Sequence, residues 1–192
     1  GEEALIQKFH NDREKVYQSL TEEDRNTSFE RLYNEYFDKL GIKGIFERIV
    51  KDFPLLQQSN ISLFIKKVWS KIEEDTELYV DGDLKTVTIA LMVNRILQPF
   101  CMQAILRHEL LRISDMLDPR FQYSPYIHLD GKNELENNLI RDRFRILWDI
   151  YIDIRLREKG HPVMKSIKDQ RREFGKIFFF LNESEREYIY SK

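Results

Sequence analysis

The chain reads as an α+β protein that is predominantly α-helical, and three observations predict this. Apolar residues recur at helical spacing through most of the 192 residues. A period of two replaces that spacing only over residues 77–92, where ELYV and LKTVTIALM flank Asp81-Gly82-Asp83. Proline and glycine fall at the ends of the helical stretches, at Gly41, Pro54, Pro99, Pro119, Gly160 and Pro162. A small β-hairpin or sheet is therefore expected between a helical N-terminal part and two long central helices.

Taken in order, residues 2–20 place Leu5, Phe9, Val16 and Leu20 among charges at helical spacing. Asn26-Thr27-Ser28 offers caps for a second helix, FERLYNEYFDKL, which stops at Gly41 and carries Leu32, Tyr36, Phe37 and Leu40 on one stripe. A third piece, Ile42 to Asp52, is expected to close before Pro54. A further helix is expected from Ile61 to Glu73, with Leu63, Phe64, Val68 and Trp69 inward. After the two strands of 77–92, Gln98-Pro99 opens a long helix that Asp118-Pro119 ends. A loop from 119 to 132 holds Phe121, Tyr123, Pro125, Tyr126 and His128. The second long helix runs from Glu134 to Lys159 and ends at Gly160. Ile167, Phe174 and the Phe178–Phe180 run then predict a buried helix, and Asn182 caps a short last one. With no repeat, linker or low-complexity stretch, residues 1–192 read as a single domain. Its parts are a helical region (1–75), a central core (77–160) and C-terminal helices (161–192).

Composition narrows the function classes. Hydrophobic residues make up 42% and charged residues 33%, a balance that can bury a core and is unlike that of disordered chains. A net charge of −2 supplies no global field toward nucleic acid or anionic membrane. Arg141, Arg143, Arg145, Arg155 and Arg157 alternate with Asp142, Asp149 and Asp153 instead of forming a basic stripe, so no nucleic-acid partner is expected. No apolar run has the length of a membrane span, and no membrane partner is expected either. The single cysteine, Cys101, excludes an internal disulfide and fits a reducing, cytoplasmic setting. The charged start is unlike a signal peptide, and Gly1 reads as a processing scar.

The chemistry concentrates in His108-Glu109-Leu110-Leu111-Arg112. Stepping through 99–117 at a hundred degrees per residue leaves Gln103, Arg107 and Ser114 toward solvent. It puts Cys101, Ile105, His108, Arg112 and Asp115 in the middle of the apolar arc, with Glu109 beside them. An unpaired buried ion costs several kcal/mol, so Arg112 needs an acid: Asp115, Glu109 or one from another helix. The helix 134–159 offers Asp149 and Asp153, four apart on one face, with Ile146, Ile152 and Leu156.

His-Glu-Leu-Leu on a helix that follows a TVTIAL strand resembles the zincin metallopeptidases, and a second helix with acids resembles their gluzincin branch. In that family two histidines four apart grip Zn²⁺ and the glutamate between them is the general base on metal-bound water. The resemblance covers residues 77–157 in architecture and His108 and Glu109 as identical motif residues. It implies that His108 is the first-ligand position, Glu109 the general-base position and Arg112 the second-ligand position. Asp149 is then the third-ligand candidate and Asp153 the acid four residues on. Arg112 departs from the pattern, because a guanidinium has no lone pair to give a metal, and Asp149 stands where a glutamate is expected. His128 offers a substitute ligand from the loop; His10 and His161 lack supporting spacing.

The expectation that follows is a zincin-like domain with a degenerate site. Arg112 replaces the metal's charge in a salt-bridged network with Asp115, Asp149 and Asp153, no cofactor is bound, and the cleft takes a peptide or protein partner along an edge of residues 77–92. One alternative is an active zinc-dependent peptidase in which His108 and Asp149 hold Zn²⁺ and Glu109 activates water. Another is a helical interaction protein unrelated to zincins.

Overall fold

The structure, a computed structural model, describes residues 2–18, 21–96, 98–124 and 133–190. These fall into two compact units, Gly1–Arg48 and Ile49–Lys192. Leu20, Pro125, Tyr126 and His128 lie outside the described residues.

The first unit pairs helix α1 (Glu2–Gln18) with α2 (Glu22–Lys39). Aromatic side chains join them: Phe9 meets Tyr36 edge-on at 5.0 Å, Tyr17 meets Phe29 at 4.9 Å, and the Tyr36 hydroxyl donates to Asp12 at 2.8 Å. The sequence places the α2 cap at Asn26–Ser28. The helix instead begins at Glu22, seven residues before Phe29, where the Thr21 hydroxyl accepts from the Asp24 amide. Leu32 and Tyr36 are buried as the stripe predicts, but Leu40 is half exposed at the C-cap.

Helix α3 (Ile42–Val50) carries the chain into the second unit, and Pro54 opens a short helix, α4 (Pro54–Gln58), instead of merely closing α3. Then comes the largest departure from expectation. Residues Ile61–Val68 form a strand, β1, and only Lys71–Glu73 make a single 3₁₀ turn. The pattern in β1 is alternation: Ile61, Leu63 and Ile65 are half-buried while Ser62, Phe64 and Lys66 are exposed. Phe64 and Trp69, expected inward on a helix, are 57% and 80% exposed. β-Branched residues on a pleated surface outweigh the short-range helical spacing here.

The hairpin of β2 (Thr76–Asp81) and β3 (Leu84–Met92) turns at Gly82, whose φ of 57° lies in the left-handed region that glycine adopts without a Cβ clash. β3 is the central strand, antiparallel to β2 and parallel to β1, in the order β1-β3-β2. Its inward residues Val87, Ile89 and Leu91 are essentially without solvent contact. Each such side chain contributes about 1.5–3 kcal/mol of burial.

From β3 the chain passes through a one-turn helix, α5 (Val93–Ile96), into α6 (Pro99–Leu117), with proline at the first turn and Pro119 beyond its end. Helix α7 (Glu134–Glu158) packs against α6 and closes at Gly160, φ 72°, where the His161 amide bonds back to the Leu156 carbonyl. Both long helices match their predicted ranges. Helices α8 (Ile167–Ile177) and α9 (Glu183–Tyr190) follow, α9 capped through Asn182. Ile150, Phe174 and Phe178 form a core cluster of α7 and the C-terminal segment.

Several predicted faces need correction. Gln103, Arg107 and Ser114 of α6 are half-buried, Arg107 pairing with Asp52 at 3.2 Å, while Phe100 is exposed near the helix start. On α7, Tyr151, Phe144 and Leu135 are exposed, although the helix packs against both α6 and α8. Ile167, Phe179 and Phe180 are likewise exposed.

Candidate functional site

One turn of α6 and one of α7 bring the site together, because residues four apart on each helix share a face. Asp149 and Asp153 of α7 look across at His108 and Arg112 of α6. His108 Nδ1 lies 2.9 Å from Asp153 Oδ1 and its Nε2 lies 3.4 Å from Asp149 Oδ1. Arg112 Nη2 donates to the same Asp149 oxygen at 2.5 Å, and its Nη1 donates to Glu109 at 2.7 Å. The Arg112 side chain is 12% exposed.

Three carboxylates converge here, and the protonation of His108 follows. Burial by itself would lower the imidazolium's pKa. Hydrogen bonds to Asp149 and Asp153 and the charges of Glu109 and Asp149 outweigh it and hold the pKa up at about 9. Burial would raise the pKa of Asp149, but its bond to His108 and the charges of Arg112 and His108 bring it below the ordinary carboxylate value. Arg112 Nη2 passes 3.1 Å from His108 Nε2. With the ring charged, these are two donors sharing one acceptor, Asp149 Oδ1.

A second layer continues from Asp153. The buried Gln170 of α8 donates its amide N–H to Asp153 Oδ2, and its carbonyl accepts from Arg157 at 2.7 Å and from the Tyr190 hydroxyl at 3.1 Å. Sequence reasoning missed Gln170. The signal was present in its spacing, four residues before Phe174 and eight before Phe178, which puts it on the buried face of α8.

Asp115 is not in this network. Its carboxylate takes Arg155 Nη1 at 2.8 Å on both oxygens and the Trp148 indole N–H at 3.0 Å. Three residues past Arg112 on α6, it points to a different part of α7. Trp148 in turn stacks on Phe121 at 5.2 Å. Arg155 and Arg157, two of the five clustered arginines, are thus engaged inside the protein.

The network opens onto a cavity of about 450 Å³, in the range of small-molecule and short-peptide sites. Thr76 and Ala90 of the sheet form one wall, His108 and Glu109 of α6 another, and Arg145 and Asp149 of α7 a third.

The donor set does not fit a zinc ion. The second-ligand position holds a fixed cation, Arg112, which has no lone pair for a metal, and both His108 nitrogens face aspartates. Among the described residues, no three His, Cys, Asp or Glu side chains are grouped so as to hold a metal. No helix among them is long and apolar enough to cross a membrane. Compared with models of protein families, with curated proteins and with solved structures, the chain matches none.

Proposed function

We propose that residues 77–160 are a zincin-like core whose metal site has become a salt-bridged polar centre, and that the cavity beside it binds a peptide or a segment of a partner protein without cleaving it. The observation that carries this reading is the place of Arg112. Its guanidinium lies between Glu109 and Asp149 and against His108, the residues that the zincin resemblance assigns to the metal and its general base. A fixed positive charge there balances the acids as Zn²⁺ would, but offers no Lewis-acid site and lowers no water pKa.

Peptide binding is supported by the adjacent sheet. β2 pairs with β3 on one side and is an edge strand on the other, and the residues just before and at its start, Glu74, Asp75 and Thr76, line the cavity. An extended segment adding to that edge would lead directly into the cavity. β3, within the stretch expected to offer an edge, is central and unavailable.

The test is metal content and hydrolysis together. Protein purified without chelator is expected to hold well under 0.1 zinc per chain and to leave a quenched-fluorescence peptide library uncut. Stoichiometric zinc that is lost on His108→Ala, with zinc-dependent cleavage, would establish the active-peptidase alternative instead.

A further inference from the structure

We infer that the cavity recognises its ligand by a single carboxylate, held by Arg145 and Lys71; this rests on the peptide-binding reading above. Most charges lining the cavity are already engaged. Glu109, Asp149 and Asp153 are taken by Arg112, His108 and Gln170. Glu74 accepts the Met92 amide at 3.2 Å and faces Arg95 at 3.4 Å, and Lys165 pairs with Glu173 at 2.6 Å. Arg145 and Lys71 remain. Both line the cavity, both are exposed to solvent, and neither side chain has a hydrogen bond or ion pair among the described residues.

A buried hydroxyl points the same way. Thr76, 9% exposed, lines the cavity and its hydroxyl has no hydrogen-bond partner. Arg95 also lines it, with its Nε facing Glu74 Oε1 at 3.4 Å. Buried hydroxyls are ordinarily satisfied, so a cavity wall that keeps one without a partner is suited to an acceptor-rich ligand. Arginine is well matched to that task, since its planar fork meets a carboxylate with two parallel bonds.

The sign and size of the uncommitted charge select among anions. Against Arg145 and Lys71 stands Asp75, one of whose oxygens already accepts the Thr76 amide at 2.8 Å. The surplus is about one positive charge, in a cavity also lined by the three paired carboxylates of Glu109, Asp149 and Asp153. A monoanionic carboxylate balances that surplus, whereas a phosphate dianion over-balances it. Such a carboxylate has two sources in a peptide, the free C-terminus or an Asp or Glu side chain.

Calorimetric titration of the full chain at pH 7 and low ionic strength separates these. The probes are N-acetyl-tetra-alanine with a free C-terminal carboxylate, its C-terminal amide, the same amide with Glu at the third position, and inorganic phosphate. At least one carboxylate peptide is expected to bind tenfold or more tightly than the plain amide, and which one does so identifies the source. Arg145→Gln and Lys71→Gln, both solvent-exposed positions, are expected to cut that preference to threefold or less. Equal binding of acid and amides overturns the carboxylate inference and leaves peptide docking standing. Phosphate binding more tightly than either carboxylate peptide overturns it in favour of a phosphate site. No binding of any probe at millimolar concentration overturns both this inference and peptide docking, while the zinc measurement above still judges the polar centre separately.

Discussion

Arg112 Nη2 and Asp149 Oδ1 meet at 2.5 Å across two helices, 37 residues apart in the chain. Both side chains are largely buried, so the bond joins α6 to α7 where water has little access to replace either partner. Arg112→Ala leaves Glu109 and Asp149 facing each other without the guanidinium. Breaking one side of such a pair costs about 3–5 kcal/mol. Urea unfolding is expected to show a loss in that range, and a loss below about 1 kcal/mol would place the guanidinium in solvent.

Arg112→His removes the same cation but supplies a lone pair one helical turn from His108. The variant is expected to gain zinc affinity that the natural chain lacks, read by competition against a chromogenic chelator, with Asp149→Asn weakening it again. Zinc binding that is equal in the natural chain and the variant would remove Arg112 from the argument.

The His108 pKa of about 9 makes stability depend on pH with a definite sign. The ordinary value is 6.5, so the folded state holds the proton more tightly than the unfolded chain does. The stabilisation, on the order of 3 kcal/mol, is fully present below pH 6.5 and is lost as pH rises through about 9. Asp149 acts in the opposite range. With its pKa lowered, its contribution is present above 3.8 and is lost as pH falls through the folded value. Urea midpoints are therefore expected to decline between pH 6.5 and 9.5, and His108→Gln to flatten that decline. A natural chain with constant midpoints over the same range would contradict the raised value.

Gln170 links Asp153, Arg157 and Tyr190 at one buried amide. Gln170→Leu keeps the volume and removes the bonds, leaving Asp153 Oδ2 and Arg157 short of partners. The expected cost is about 1–3 kcal/mol, visible as a lowered thermal midpoint. A change below about 0.5 kcal/mol would mean that α8 does not hold the acid in place.

The strand assignment of Ile61–Val68 can be tested by two substitutions of opposite consequence. Ile89→Ala on the neighbouring central strand removes a fully buried side chain and is expected to cost about 2–5 kcal/mol. Phe64→Ser removes a larger side chain from the exposed face of β1 and is expected to change stability by no more than about 0.5 kcal/mol. A large loss on Phe64→Ser would favour a helix with that ring inward.

Much of the secondary structure was legible from local signals. Pro99 and Pro119 bound α6, Gly160 closes α7, and Asp81-Gly82-Asp83 turns the hairpin, because each acts through backbone geometry that neighbours do not alter. β1 was misread because ISLFIKKVW satisfies both a loose helical spacing and strict alternation. Its pairing partner lies more than twenty residues later, so nothing local separates the two. In the site, the position of Arg112 on the buried arc of α6 demanded an acid, and Asp149 and Asp153 stood out by their spacing of four.

Helical periodicity, with proline and glycine punctuation, therefore settles where α6 and α7 begin and end, since these are properties of the chain over a turn or two. Which acid meets which cation is not such a property. Asp115 and Glu109 both lie three residues from Arg112, yet Asp115 goes to Arg155 and Trp148 while Glu109 stays with Arg112. That division depends on how the two helices cross, and so on packing between residues dozens of positions apart. Gln170 and the cavity-lining Arg145 and Lys71 become neighbours of the same centre only when the sheet and the four helices α6–α9 have assembled.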